Sequence, residues 1–263
     1  MSRTAIVTAS DSGIGKASAV ALARAGFDVG ITWHEDERGA LGTAEEVRAA
    51  GRRAEVRHLD LEQLPGAADV VDELADALGG ELRAVVSNAG GGGGGPFLDL
   101  PYDEWRTRLR VNLDGAFLVL QRAARRMVSA GTGGRLVAVT SVHEHQPRVG
   151  AADYVTAKHG LGGLVKTAAI ELGRHGITVN SVGPGEIATP LTGAEDVDPR
   201  DEPRPGVPLG RVGGAHEMAA VVAFLCSDEA SYVTGASFVA DGGMTQMGPM
   251  AGSHLGSDDW RDG

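Results

Sequence analysis

The sequence has one cysteine and lacks any hydrophobic run long enough to cross a membrane. Cys226 is the only cysteine in 263 residues, which excludes an intramolecular disulfide and a cysteine-based metal cluster and fits a reducing cytoplasm. Its apolar stretches stop well short of the roughly 18 to 20 residues that span a bilayer. The opening MSRTAIVTAS does not resemble a signal peptide. We therefore expect a cytoplasmic protein with no membrane partner.

Positive charge is also scarce. Lys and Arg together number 24 against 35 Asp and Glu, for a formal net charge of -11. An acidic surface repels a polyphosphate backbone, and no basic run is present, so we expect no nucleic-acid partner. Apolar residues at 42% and charged residues at 22% are close to globular averages, and this length commonly forms one α/β domain.

Short β-branched runs alternate with Ala- and Leu-rich segments of helical period, a pattern typical of a parallel sheet covered by helices on both faces. Strands are predicted at 4–9, 28–33, 53–59, 83–88, 134–141, 177–182 and 237–241. Helices are predicted near 13–25, 40–50, 67–78, 102–130, 151–174 and 214–227. The fold class is therefore α/β, with a doubly wound, seven-stranded parallel sheet in a single domain over residues 1–243.

Three segments interrupt this alternation. Residues 190–213, rich in Pro, Asp and Gly, are interpreted as a long loop that serves as a substrate lid. Residues 244–263 are interpreted as a C-terminal tail, either disordered or docked on a neighbouring subunit. The glycine run 90–95 follows a predicted strand directly, which places it at the carboxyl edge of the sheet, where open α/β folds bind ligands.

The stretch TASDSGIG, residues 8–15, joins the first predicted strand to the first helix. Gly13 and Gly15 would let the backbone approach a pyrophosphate at the helix N-terminus. Ala9 stands where a dinucleotide-binding turn usually has a glycine, and alanine is tolerable there if its φ is negative. The stretch favours a dinucleotide site, although an ordinary glycine turn would look similar.

A second pattern is YVTAK, in which Tyr154 and Lys158 lie four apart on a predicted helix and share a face. An adjacent ammonium can lower the pKa of a phenol, so Tyr154 could act as general acid to a carbonyl or general base to an alcohol. Ser141 ends a strand and can donate to the substrate oxygen. The amide of Asn112 could hold a water-mediated proton path. Alternatively, Tyr154 and Lys158 are ordinary surface residues.

In that order, Asn112, Ser141, Tyr154 and Lys158 resemble the catalytic tetrad of the short-chain dehydrogenase/reductase family, classical type. Within it the chain is similar to bacterial 3-oxoacyl-carrier-protein reductase-like and acetoin (diol) dehydrogenase-like members. The resemblance spans residues 4–243 and implies a Rossmann fold and NAD(P)-dependent hydride transfer between a secondary alcohol and a ketone. Members usually form homotetramers through the helices that carry Asn112 and Tyr154, so we expect a homotetramer.

The residues expected to contact the cofactor include the turn, two family-like motifs and two of the tetrad residues. SNAG resembles the family's Asn-Asn-Ala-Gly motif, in which Asn88 would steady the sheet. PGEIAT resembles the stretch that holds the nicotinamide carboxamide. The full set is Thr8, Ser10, Ser12, Gly13, Ile14, Gly15, Trp33, His34, Asp60, Leu61, Asn88, Ala89, Gly90, Tyr154, Lys158, Pro184, Gly185, Ile187 and Thr189.

The choice of cofactor depends on the end of the second predicted strand. Family members that prefer NAD have an Asp there, and this chain has Trp33. Members that prefer NADP often have a basic residue just before Gly13, where this chain has Ser12. His34 and the hydroxyls of Ser10 and Ser12 could accommodate a 2′-phosphate. The negative charges of the nearby residues Asp11, Glu35 and Asp36 disfavour it. We favour NADP(H), with NAD(H) as the alternative.

His143 and His145 follow Ser141 closely and are expected to face the substrate pocket. With Glu144 they could form a metal site, but a polar pocket wall is the favoured interpretation, so no metal is expected. The substrate is expected to be a small hydroxyketone, diol or sugar-like alcohol. Alternative functions are a 3-oxoacyl thioester reductase and a catalytically silent NAD(P)-binding sensor.

Overall fold

Seven parallel strands form one sheet in the structure of this chain, a computed structural model that describes residues 2–192, 198–201 and 203–247. The strands are β1 Arg3–Val7, β2 Phe27–Trp33, β3 Ala54–His58, β4 Glu81–Ser87, β5 Gly134–Val139, β6 Ile177–Pro184 and β9 Ser237–Ala240. Two further strands, β7 Ile187–Ala188 and β8 Gly213–Gly214, pair with each other in a separate two-stranded sheet. The helices are α1 Gly13–Arg24, α2 Glu37–Ala49, α3 Val70–Leu78, α4 Tyr102–Leu109, α5 Gly115–Ala130, α6 Ala152–Leu172 and α7 Ala215–Leu225.

The predicted architecture is confirmed, with differences at element ends and in one long helix. All seven predicted strands are present, and two apolar clusters fill the two faces of the sheet beneath the helices. The predicted helix 102–130 is divided, because residues Arg110–Asp114 form a π-turn between α4 and α5. Such a turn adds a residue to the helical repeat and often occurs at functional sites.

The strand order β3-β2-β1-β4-β5-β6-β9 places β1 between β2 and β4. The chain winds outward in both directions from this point, so the connections that follow β1 and β4 diverge and leave a crevice at the carboxyl edge of the sheet. Residues 8–15 and 88–95 both lie at that edge, after β1 and β4. The topology therefore brings the two glycine-rich segments together.

Two of the three segments that interrupt the strand–helix alternation, 190–213 and 244–263, are only partly described. In the loop 190–213, short 3-10 turns occupy Pro190–Thr192 and Pro199–Asp201, and β8 ends the loop. Residues 193–197 and 202 lie outside the described residues, as does 248–263 of the predicted tail. Met244–Gln246, at the start of that tail, form a 3-10 turn. Within the described part of the chain, no helix is both long and apolar enough to span a membrane.

Candidate active site

A cleft of about 500 Å³ opens at the carboxyl edge of the sheet. It runs from the turn after β1, past the segment after β4, to the ends of β5 and β6. Its walls come from five connections and from α6. The lining residues are Ala9, Asp11–Ile14, His34, Glu35, Asn88, Gly90–Gly92, Val139–Ser141, Tyr154, Lys158, Pro184, Gly185, Ile187, Thr189, Pro190 and Thr192.

The turn after β1 departs from expectation at Ala9. Its φ is +48°, in the left-handed region, so the condition of a negative φ, under which alanine would be tolerable there, is not met. Gly15 has a packing role, because a Cβ atom there would lie 1.9 Å from the carbonyl oxygen of Ala9. Helix α1 begins at Gly13, which has a φ of +52° and lines the cleft. The unpaired N–H groups at the start of α1 can therefore bind an anion in the cleft.

Two hydroxyls predicted to contact the cofactor are buried behind the cleft. The Oγ1 of Thr8 accepts hydrogen bonds from the backbone N–H groups of Asn88 and Ala89, both at 2.9 Å. The Oγ of Ser10 donates to the carbonyl of Val7 and accepts from the backbone N–H of Thr32, and Ser10 is fully buried. The prediction that the Ser10 hydroxyl could reach a phosphate was therefore wrong.

Asn88 joins the two segments as its motif predicts. Its Nδ2 donates to the carbonyl oxygens of Thr8 and Ala9, at 3.2 and 2.9 Å. Ala89 and Leu61 are not cleft-lining residues. Leu61 is buried against α5, where a Cβ on Gly115 would lie 2.9 Å from Leu61 Cδ1. These contacts hold the sheet edge in shape.

At the far end of the cleft, the residues after β2 form an acidic and histidine-containing surface. His34 lines the cleft, and its Nε2 lies 3.6 Å from an oxygen of Asp60. Trp33 does not line it and packs edge-on against the ring of His58, with 4.7 Å between centroids. Asp11 faces the same cleft, and burial, followed by the nearby charge of Asp36, raises its pKa.

Lys158 is buried at the opposite end of the cleft. Its Nζ donates to the carbonyl of Val139 at 3.1 Å and lies 5.4 Å from the centroid of the Tyr154 ring. Burial lowers the pKa of Lys158 to about 8, and the charge of Glu144 partly opposes this shift. Tyr154 and Lys158 are thus adjacent in the fold, as their spacing in the sequence predicts.

The phenol of Tyr154 lines the cleft and hydrogen-bonds with Ser141. Burial raises the pKa of Tyr154, while the hydrogen bond to Ser141 and the charges of Arg148 and Arg108 oppose the rise. The expectation that an adjacent ammonium would bring this pKa below its usual value was wrong for this structure, because the desolvation of the phenolate outweighs the attraction of the nearby cations.

Asn112 lies in the π-turn between α4 and α5 and is fully buried. Its Nδ2 donates to the carbonyl oxygens of Arg108, at 3.1 Å, and Gly91, at 3.3 Å. Its Oδ1 is buried and has no hydrogen-bond partner among the described residues. A Cβ on Gly90 would lie 2.6 Å from this Oδ1 and 3.4 Å from Lys158 Nζ. A buried acceptor beside the ammonium is suited to hold a water, as the proton-path prediction requires.

The two histidines predicted to form a substrate pocket point in different directions. The ring of His143 lies edge-on to Tyr154, with 6.1 Å between centroids, and its Nδ1 is 2.9 Å from the carbonyl of Gln146. His145 is exposed, and its Nε2 is 2.9 Å from the Oγ of Ser237. Neither lines the cleft, so the structure supports only His143 as a neighbour of the site. Within the described residues, no group of three or more His, Cys, Asp or Glu side chains could hold a metal.

Glu144 is a buried carboxylate whose structural role sequence reasoning missed. Its Oε2 accepts hydrogen bonds from the hydroxyls of Thr140, Ser181 and Ser237, at 2.7, 3.0 and 3.1 Å. These hydroxyls come from the residue after β5, from the interior of β6 and from the first residue of β9, so one carboxylate oxygen joins three strands behind the tetrad. The sequence contains no signal for this, because the three donors come together only in the folded sheet.

The donor set of the cleft fits a nicotinamide dinucleotide. The start of α1 offers backbone N–H groups to a pyrophosphate, and Gly13 and Gly90 leave space that a side chain would fill. Lys158 lines the cleft at the opposite end, where its ammonium could bind the hydroxyls of a ribose. The two ends of the cleft thus suit the two ends of such a molecule.

Comparison with known proteins gives matches over nearly the whole chain. Residues 8–245 match a family model described as enoyl-(acyl carrier protein) reductase. The chain is 51% identical over 249 residues to "Uncharacterized oxidoreductase YohF" of Escherichia coli K12, covering 95% of this chain and 98% of that protein. It is 37% identical over 244 residues to an L-rhamnose 1-dehydrogenase (NAD(P)(+)) of a Sphingomonas species, covering 92% and 96%.

Solved structures also match this chain over nearly its whole length. The crystal structure of acetoin dehydrogenase from Enterobacter cloacae superposes with a TM-score of 0.90 at 52% identity, covering 95% of this chain and 98% of that one. The similarity therefore includes the cleft and every element that surrounds it.

Proposed function

Because this chain belongs to the short-chain dehydrogenase/reductase family, we propose that it interconverts a small secondary alcohol and its ketone, with Tyr154 as general acid and base. The chain is an oxidoreductase of the kind that acts on CH–OH groups. The observation that carries the proposed mechanism is the buried ammonium of Lys158 beside the Tyr154 ring, at the end of the cleft where Ser141 also lies.

Each tetrad residue has a distinct task in this proposal. In the reducing direction, the Tyr154 hydroxyl donates its proton to the carbonyl oxygen of the substrate, and in the oxidising direction the phenolate removes the alcohol proton. Ser141 donates a hydrogen bond to the same oxygen as negative charge develops on it. The ammonium of Lys158 stabilises the phenolate, and Asn112 holds a water that returns the proton.

The remaining cleft residues bind and orient the cofactor. A nicotinamide cofactor, when bound, accepts or supplies the hydride. Residues at the start of α1 would hold its pyrophosphate, and Lys158 would hydrogen-bond the nicotinamide ribose. Ile187 and Thr189, which both line the cleft, would hold the carboxamide.

The proposed substrate is a small hydroxyketone, diol or sugar-like alcohol, with acetoin as the first candidate. Support comes from two relatives, an acetoin dehydrogenase at 52% identity and a sugar dehydrogenase at 37%. His143 lies edge-on to Tyr154 from outside the cleft lining, so it adds a polar group near the proposed catalytic residue.

The decisive experiment measures NAD(P)H oxidation with a panel containing acetoin, other hydroxyketones, simple ketones and a 3-oxoacyl thioester, with diols and sugars tested in the oxidising direction. We expect activity with at least one small hydroxyketone or diol, and a loss of about 100-fold or more in Tyr154→Phe. Full activity of Tyr154→Phe would reject the mechanism. Cofactor binding without turnover of any substrate would favour a sensor, and turnover of the thioester alone would favour the acyl reductase.

For the cofactor, we propose that both forms bind and that NADP(H) is modestly preferred. His34 is the imidazole that lines the far end of the cleft, and no carboxylate ends β2 to bind the ribose hydroxyls of NAD. Asp11 and Glu35 line the same end and limit the preference. His34→Gln should lower kcat/KM for NADPH severalfold and leave that for NADH nearly unchanged. A tenfold preference of the unaltered protein for NADH would contradict this proposal.

We also propose a homotetramer assembled through α5 and α6. Both helices expose apolar side chains, with Phe117 at 40% and Ile170 at 84% exposure. Light scattering after gel filtration should give four times the chain mass, and Ile170→Glu should yield a smaller species. A monomeric mass for the unaltered protein would reject the assembly.

A further inference from the structure

The glycine run after β4 is shaped around one arginine of α4. A Cβ on Gly93 would lie 2.1 Å from a guanidinium nitrogen of Arg108. A guanidinium N–H of Arg108 also donates to the carbonyl of Gly91 at 3.3 Å. The run therefore holds the Arg108 side chain on its outer side, away from the face that lines the cleft.

The guanidinium has a buried anionic partner at the start of α6. Asp153 is 1% exposed, and its Oδ2 lies 3.6 Å from Arg108 Nε, a distance that makes an ion pair without a hydrogen bond. The other oxygen, Oδ1, accepts the backbone N–H of Tyr154 at 2.7 Å. One carboxylate thus contacts both the arginine of α4 and the backbone of the proposed catalytic residue.

A second contact fixes the same segment to the chain that precedes α6. A Cβ on Gly94, which has a φ of +132°, would lie 1.9 Å from the carbonyl oxygen of Gly150. The glycine run is therefore packed between α4 and the residues before Tyr154, and it is not a loose linker. The run thus packs beside the ion pair of Arg108 and Asp153.

We infer that Arg108 and Asp153 form a positioning pair that orients Tyr154 relative to α4 and places a cation near its phenol. This inference rests on the proposed function of Tyr154. Neither residue lines the cleft, so the pair acts through the backbone and the electric field and does not touch a substrate.

The charges around Tyr154 come from several elements. The cationic or titratable groups that face it are Lys158 on α6, Arg148 and His143 in the segment after β5, and Arg108 on α4. The anion near it is Asp153. A nearby cation stabilises the phenolate and lowers the pKa of Tyr154, and Arg108 acts in this direction. Removing Arg108 should therefore raise that pKa, and neutralising Asp153 should lower it, because Arg108 then acts without its counterion.

The test is an ultraviolet titration of the tyrosinate of Tyr154, taken as the difference from Tyr154→Phe, at pH values where circular dichroism shows the fold is retained. Arg108→Gln should move the titration upward by about 0.5 to 1 in pH, and Asp153→Asn should move it downward. The matched control is Arg106→Gln, which removes an exposed charge two residues away and should cause no shift. Shifts of both variants in the same direction, or no shift in either, would overturn the inference.

A second readout uses the pH dependence of kcat in the oxidising direction, which should move with the titration. Arg108→Gln leaves a buried carboxylate without its cation, so it could fail to fold. In that case Arg108→Lys, which retains the charge, and the double variant Arg108→Gln/Asp153→Asn, which removes both charges, are compared. The lysine variant should keep the pKa of Tyr154 unchanged, and the double variant should raise it. The reverse order of these two pKa values would overturn the inference. The titration needs no substrate, so it can succeed or fail independently of the proposed activity.

Discussion

Gly15 packs so closely beneath Ala9 that a Cβ atom on Gly15 would lie 1.9 Å from the Ala9 carbonyl oxygen. The backbone of the turn must therefore curl directly over the first turn of α1. That path places Ala9 at a φ of +48°, a conformation that alanine adopts only at an energetic cost. The position usually occupied by glycine in such turns is thus strained here, and the fold tolerates the strain.

The first prediction follows from this strain. Ala9→Gly should raise the free energy of unfolding by about 0.5 to 1 kcal/mol, because glycine has no Cβ penalty at positive φ. Denaturant titration measures the change. The control is Ala25→Gly, at an exposed position with a φ of -78°, where glycine should destabilise by a similar amount. Equal changes in the two variants would show that the conformation of Ala9 carries no cost.

The second prediction concerns Glu144 and the glycine that faces it. A Cβ on Gly162 would lie 2.5 Å from Glu144 Oε1, so Gly162→Ala should destabilise the protein by about 1 to 3 kcal/mol through overpacking. Gly42→Ala, in α2, is the matched control, because a Cβ there meets nothing within 4 Å and should stabilise its helix by up to about 1 kcal/mol.

A double variant tests the contact itself. Glu144→Asp shortens the side chain, so Gly162→Ala should cost less in a Glu144→Asp background than in the unaltered protein. Strictly additive effects on the free energy of unfolding would mean that Gly162 and Glu144 are not in contact.

The third prediction is a pH dependence of stability that arises from Lys158. Its pKa is about 8 in the folded chain and 10.5 in the unfolded reference, so between these values the unfolded chain binds more protons. The cost of burying the ammonium is therefore greatest below pH 8 and is relieved as the pH rises toward 10.5.

Lys158→Met removes this dependence and should also abolish activity. Its stability advantage over the unaltered protein should shrink by up to about 1.4 kcal/mol for each pH unit above 8. Urea denaturation at several pH values from 7 to 10 measures the difference. A constant difference across that range would contradict the assigned burial of the charge.

The fourth prediction concerns the single cysteine. Cys226 is 3% exposed, and burial raises the pKa of its thiol to about 12, so the native protein contains almost no accessible thiolate. Alkylation by iodoacetamide at neutral pH should be at least about 100-fold slower in the native protein than in urea. Rapid labelling of the native protein, absent in Cys226→Ser, would show that α7 opens readily.

Much of this architecture follows from local sequence pattern. The alternation of β-branched runs with helical segments predicts the seven-stranded parallel sheet because each element must bury one face, and that period is encoded residue by residue. The placement of Tyr154 and Lys158 on one face of a helix is equally local. The π-turn at Asn112 was not predictable in this way, because Asn112 is held there in part by a hydrogen bond to the carbonyl of Gly91, which is distant in the sequence.

What the tertiary structure decided is which polar groups meet. Ser10 and Ser12 are near neighbours in one turn, yet the Ser10 hydroxyl is buried in hydrogen bonds to β1 and β2 while Ser12 lines the cleft. His143 and His145 likewise diverge: the 3-10 turn Val142–Glu144 contains His143, buries Glu144 and is followed directly by His145.

The sequence by itself determined the fold class and the cleft position, since these depend on short-range period and spacing, and its resemblance to a family implied the proposed tetrad. Only the tertiary structure brought together Arg108 and Asp153, 45 positions apart, and the three hydroxyls that meet Glu144. Such contacts depend on how separate helices and strands cross. The sequence around a charged side chain therefore does not indicate which residue will be its partner when both are buried.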